Sequence, residues 1–157
     1  MSFSGGLVPA WVALFGWAAL GSLAISMLAA PLGRRSPFLR RHRRAFGLGG
    51  AALASIHAAA SALAFAPSLA ALWSWPELRA GLGAWAILLV LALTSFRPTM
   101  RPLRHWKGLH RWVDGAALLV VLHLLGGGAP QLYAAAAMAA LLVLRLALRI
   151  RASFRSE

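Results

Sequence analysis

The 157-residue chain has no cysteine and only three acidic residues. Without cysteine there are no disulfides, no thiolate metal sites and no cofactor attached covalently through sulfur. The three carboxylates, Glu77, Asp114 and Glu157, lie far apart in the chain. No carboxylate pair or nucleophile–base pair is visible, which sets aside hydrolases and transferases. A Gly-x-Gly-x-x-Gly phosphate loop is also missing, so no flavin or nicotinamide domain of that kind is attached. There is no internal repeat, and the spans carry almost no charge beyond histidine and Asp114; both points argue against a small transporter.

What the chain has in quantity is apolar sequence. Hydrophobic residues make up 61% of it, against roughly 45–50% in ordinary soluble domains. Uncharged runs of about 18 residues or more read as membrane-spanning helices. Five spans are expected, at about 7–30, 45–66, 82–96, 109–125 and 131–148; the third is short and has an alternative start near Trp75. The expected fold is a single all-α membrane domain over residues 1–157. The first apolar run ends in Pro31 and arginines rather than a small-residue cleavage site, so it reads as a retained helix and not a signal peptide. Abundant alanine and glycine suit close helix packing in lipid.

The 16 basic residues fall in short loops between apolar runs, which argues against nucleic-acid binding despite the net charge of +13. Arg34, Arg35, Arg40, Arg41, Arg43 and Arg44 follow span one. Arg97, Arg101, Arg104, Lys107 and Arg111 follow span three. Arg145, Arg149, Arg151 and Arg155 close the chain, and only Arg79 falls on the other side. The positive-inside rule puts the N-terminus outside and the C-terminus in the cytoplasm, in a multi-pass protein of the bacterial inner membrane. Trp73, Trp75, Trp106 and Trp112 sit near the boundaries as interfacial anchors.

Against this background His57 and His123 stand out, because an imidazole in hydrocarbon needs a partner. His57 lies 13 residues beyond Arg44 and His123 lies 12 beyond Arg111. At ~1.5 Å per residue both sit roughly 18–20 Å above the arginine boundary. Two imidazoles at one depth on parallel helices suit a shared heme iron, although a helix–helix hydrogen bond is the plainer alternative. His42 and His110 also match in depth, about 20 Å below the first pair, and would hold a second heme. Thirteen residues at ~100° leave His110 and His123 on different faces of an ideal helix. His42 sits among arginines, where the helix start is open, and His105 is another inner candidate. The arginine loops are also suited to anionic lipid, heme propionates or a partner's acidic surface.

The stretch Arg40-Arg41-His42-Arg43-Arg44-Ala45-Phe46-Gly47-Leu48-Gly49, followed by Ser55-Ile56-His57-Ala58-Ala59, resembles a ferric reductase-like transmembrane domain. So do Leu91-Ala92-Leu93-Thr94-Ser95, Arg104-His105-Trp106-Lys107-Gly108-Leu109-His110-Arg111-Trp112-Val113 and Val121-Leu122-His123. The resemblance covers about residues 32–125 and is strongest to the family's bacterial heme-binding subunits. It implies b-type heme, with His57 and His123 ligating one heme and His110 serving a second; relatives of the oxidase and ferric reductase type hold two. His42 lies one residue off the family's usual inner position. The family usually has one more N-terminal span than is visible here. Asp114, about one turn after His110, stands where relatives often have an aromatic residue; it either hydrogen-bonds a ligating histidine or pairs with a boundary arginine.

The expected function is a redox subunit rather than a complete enzyme. It would be a b-type heme membrane electron-transfer subunit in contact with membrane lipid. Quinol or a flavin reductase would supply electrons, and quinone is a further candidate cofactor. The acceptor would be a partner protein, such as a periplasmic reductase, a flavoprotein or a membrane complex. The alternative is an accessory subunit of a larger respiratory or photosynthetic complex, with or without heme.

Overall fold

The computed structural model describes residues 9–32, 36–65, 74–96, 108 and 111–154. Among the described residues there are five helices: α1 (Ala10–Leu32), α2 (Pro37–Phe65), α3 (Pro76–Phe96), α4 (Trp112–Leu125) and α5 (Ala129–Ser153). Four of them, α1, α2, α3 and α5, are long and apolar enough to cross a bilayer. Helix α4 has 14 residues, about 21 Å of rise, less than the ~30 Å hydrocarbon core; residues 109 and 110, just before it, lie outside the described residues.

Local chemistry sets the helix starts. The Ser36 hydroxyl accepts the Leu39 N–H at 3.3 Å, and Pro37 follows at the first helical position, where its missing N–H costs nothing. α2 therefore begins eight residues before the expected Ala45 and carries the arginine run on its first turns. His42 is accordingly inside a helix, not ahead of one. Pro76 starts α3 in the same way, six residues before Leu82, and Glu77 in the first turn meets the positive end of the helix dipole. Gly126 to Gly128 join α4 to α5 in a tight turn, where the Gly127 N–H reaches the Leu124 carbonyl at 3.1 Å. Their value is close approach: a Cβ on Gly126 would lie 2.7 Å from the Glu77 Cγ, and one on Gly127 2.6 Å from the Gln131 Cβ.

Each helix packs on its chain neighbour, and α5 closes back on α1, so the five form a ring. The core lies between α1, α4 and α5, where Leu23, Met27, Ala117 and Met138 are buried together. The outer surface is apolar as well: Leu14 is 64% exposed, Leu63 82%, Leu93 59% and Val143 66%. Four such large side chains on four helices would be costly in water and are what a lipid-facing surface requires. Small buried residues, Ala51, Ala60, Ala84 and Ala116 among them, let the backbones approach closely where hydrophobic burial alone cannot drive association.

Candidate heme site

His57 on α2 and His123 on α4 come together in the bundle with ring centroids 6.5 Å apart and ring planes at 70°. Each ring is held in the same way by the other helix of its own hairpin. His57 Nδ1 lies 3.0 Å from the Val12 carbonyl on α1. His123 Nδ1 lies 2.9 Å from the Glu77 carbonyl on α3. A carbonyl can only accept, so Nδ1 must be the protonated nitrogen in both rings. In a neutral imidazole the lone pair then belongs to Nε2, the tautomer that a metal ligand needs.

A glycine four residues after each carbonyl provides the space. A Cβ on Gly16 would sit 3.0 Å from His57 Cε1, and one on Gly81 2.8 Å from His123 Nδ1. Each imidazole therefore rests on a bare patch of helix backbone. Hairpin α1–α2 and hairpin α3–α4 thus repeat one local design, carbonyl, glycine and histidine, although the sequence shows no repeat. Two hydrogen bonds tie the hairpins together. Trp85 Nε1 donates to Ser55 Oγ at 3.0 Å, and Arg44 donates to the Ser95 carbonyl at 2.6 Å. The second gives the Leu-Thr-Ser stretch of α3 a physical role.

The donor set can be tested against the expected cofactor. Among the described residues no group of three or more His, Asp or Glu side chains could hold a bare metal ion. Two imidazoles alone suit a metal that brings its equatorial ligands with it, as heme iron does. With metal–nitrogen bonds of about 2 Å on each side and the ring centres about 1 Å behind the nitrogens, two imidazoles that shared one metal would have centroids roughly 6 Å apart. The observed 6.5 Å fits.

Among the described residues the remaining histidine, His42, does not join this pair. His42 lies near the start of α2, with Nδ1 3.0 Å from the Phe38 carbonyl and its ring 4.3 Å from the Phe38 ring. His110 and His105 lie outside the described residues.

Asp114 makes the arginine pairing of its two alternatives; the other, to His110, lies outside the described residues. Arg145 Nε lies 2.9 Å from Asp114 Oδ1, at an angle too poor for a hydrogen bond, so the contact is an ion pair. Arg149 pairs with the other carboxylate oxygen. Arg145 is 3% exposed and also donates to the Met27 carbonyl at 3.2 Å, joining α1, α4 and α5. It is thus a buried structural cation, not the boundary arginine that its place near the chain end suggests. Sequence reasoning missed Arg145, Val12, Glu77, Gly16 and Gly81. For the glycines the available signal was their place on helices facing His57 and His123.

A multi-pass helical bundle with two tautomer-locked imidazoles at its centre defines a class of membrane cofactor-binding proteins. The chain belongs to the ferric reductase like transmembrane component family, whose pattern matches residues 12–122. It is similar to the protein-methionine-sulfoxide reductase heme-binding subunit MsrQ of Cronobacter sakazakii, with 39% identity over 116 residues. That match covers 68% of this chain and 58% of the relative, so the chain spans little more than half the length of the protein it resembles. No solved structure matches the chain.

Proposed function

We propose that this protein is a b-type heme electron-transfer subunit of the bacterial cytoplasmic membrane, with His57 and His123 as the residues that would hold the heme iron. The observation that carries the reading is the matched pair of imidazoles, each locked by a backbone carbonyl into the tautomer that frees Nε2. The relative's name, a heme-binding subunit of a methionine-sulfoxide reductase, supports it. A heme held by two imidazoles supplies a one-electron couple and has no open position for oxygen or substrate. The protein's part is to orient the ligands through Val12 and Glu77, to admit the rings beside Gly16 and Gly81, and to keep water out with the surrounding apolar helices.

The arginine distribution supports an N-terminus outside and a C-terminus in the cytoplasm. Electrons would come from quinol or a separate flavin reductase and leave to a partner reductase, by analogy with the relative's complex. One heme is assigned to His57 and His123; a second would draw on His110 and an inner partner.

The test is a reduced-minus-oxidised absorbance spectrum of the detergent-purified protein with heme quantified per chain. A sharp low-spin b-type signal at one heme per chain is expected, lost in His57→Ala and in His123→Ala. An unchanged spectrum in both variants refutes the ligand assignment. A folded chain without heme, expressed with heme available, would refute the electron-transfer reading and leave the bundle an accessory one.

A further inference from the structure

A second feature of the bundle lies away from the histidine pair. At the arginine-rich end is a cavity of about 460 Å³ into which Arg40, Arg41, Arg43, Arg44 and Arg145 all reach. We propose that it binds the phosphate headgroup of an anionic membrane lipid, independently of any heme.

The electrostatics favour an anion. Among the described residues the ion pairs are those of Asp114 with Arg145 and Arg149, so no described carboxylate faces the four arginines of α2. Those four sit in the first turns of their helix, where the dipole is also positive. Like charges crowded at the wrong end of a helix raise its energy, and an oxyanion among them reverses the sign of every one of these terms. Arg145 forms part of the inner wall: it is 3% exposed and its charge is paired with Asp114, so the uncompensated charge is that of the four α2 arginines.

The walls select a lipid over a soluble anion. Leu23 of α1, Leu88 and Leu91 of α3 and Val113 of α4 also line the cavity, beside Ser26, Thr94 and Ser95, and give it an apolar part suited to acyl chain. The arginines lie where the apolar run of α2 begins, the level at which headgroup phosphates sit in a bilayer. One face of the cavity therefore matches each half of an anionic amphiphile.

The experiment compares phosphatidylglycerol with phosphatidylcholine vesicles, measuring retention of each lipid by native mass spectrometry after detergent extraction and binding by titration. Wild-type protein should prefer phosphatidylglycerol. With each basic residue near an anionic lipid contributing about 1 kcal/mol, Arg40→Gln/Arg41→Gln/Arg43→Gln should weaken that preference on the order of a hundredfold. Arg43→Gln alone should weaken it about fivefold, which keeps the test available if the triple variant fails to fold by circular dichroism. Arg79→Gln, at the opposite end of the bundle, should change nothing. Equal retention of the two lipids, an unaltered preference in the arginine variants, or an equal loss in Arg79→Gln overturns the proposal. Displacement of phosphatidylglycerol by millimolar inorganic phosphate also overturns it, since the site would then hold a soluble anion.

Discussion

Replacing Gly81 by alanine adds one methyl group at the point where His123 rests on α3. The new Cβ would lie 2.8 Å from Nδ1, 3.0 Å from Cε1 and 3.2 Å from Cγ of that ring. Ordinary carbon contacts are about 3.5–4.0 Å, so the ring must retreat by more than half an ångström. Its hydrogen bond to the Glu77 carbonyl, now 2.9 Å, would stretch out of range. Leaving a buried donor unpaired costs about 1–3 kcal/mol. Against this, alanine gains about 1 kcal/mol over glycine in a helix interior. The net expectation is a loss of about 0–2 kcal/mol by these two terms, together with a 10–100-fold loss of heme affinity of the kind that follows removal of a ligand's orienting partner. Gly21→Ala and Gly49→Ala are the controls, because a Cβ at either meets nothing within 4 Å; they should keep the helix gain and leave heme untouched. The assays are thermal unfolding in detergent and heme titration. If Gly81→Ala behaves like Gly49→Ala in both, the ring does not rest on that glycine and the account of the site is wrong.

Asp114→Asn leaves Arg145 buried without its counter-charge and should cost about 3–5 kcal/mol; Asp114→Leu with Arg145→Leu should recover most of it, read by the unfolding midpoint. Trp85→Phe and Ser55→Ala each remove the bond between the hairpins and should each cost about 1 kcal/mol. The double variant should cost clearly less than the sum of the singles, which a double-mutant cycle measures. Gly126→Ala drives a Cβ into the Glu77 side chain, 2.7 Å from its Cγ, and should lower the unfolding midpoint without a direct effect on either imidazole. A midpoint equal to wild type would show that the turn has room to spare.

The depth of the histidine pair was legible because it needs only counting. Thirteen residues from Arg44 and twelve from Arg111 at a fixed rise bring His57 and His123 to one level, and the rings lie 6.5 Å apart. Helix starts were less legible, because hydropathy treats charge as loop. α2 takes in five charged or histidine positions behind a Ser-Pro cap, and α3 takes in Glu77 and Arg79 behind Pro76. Arg145 was misplaced for a related reason: the count along α5 gives its height but not which way it faces. The carbonyls of Val12 and Glu77 leave no mark in a sequence, since every residue has one. What makes them special is the crossing of two helices, which is a property of the assembled bundle.

The two hairpins have a consequence for assembly. Each finishes its own half of the centre from its own strand of chain: α1 and α2 complete the His57 side, α3 and α4 the His123 side, with neither borrowing from the other. The halves can therefore be made in the order of synthesis, inserted one after the other, and brought to the cofactor already shaped. On the heme reading, iron would then act as the rivet that turns two prefabricated hairpins into one unit.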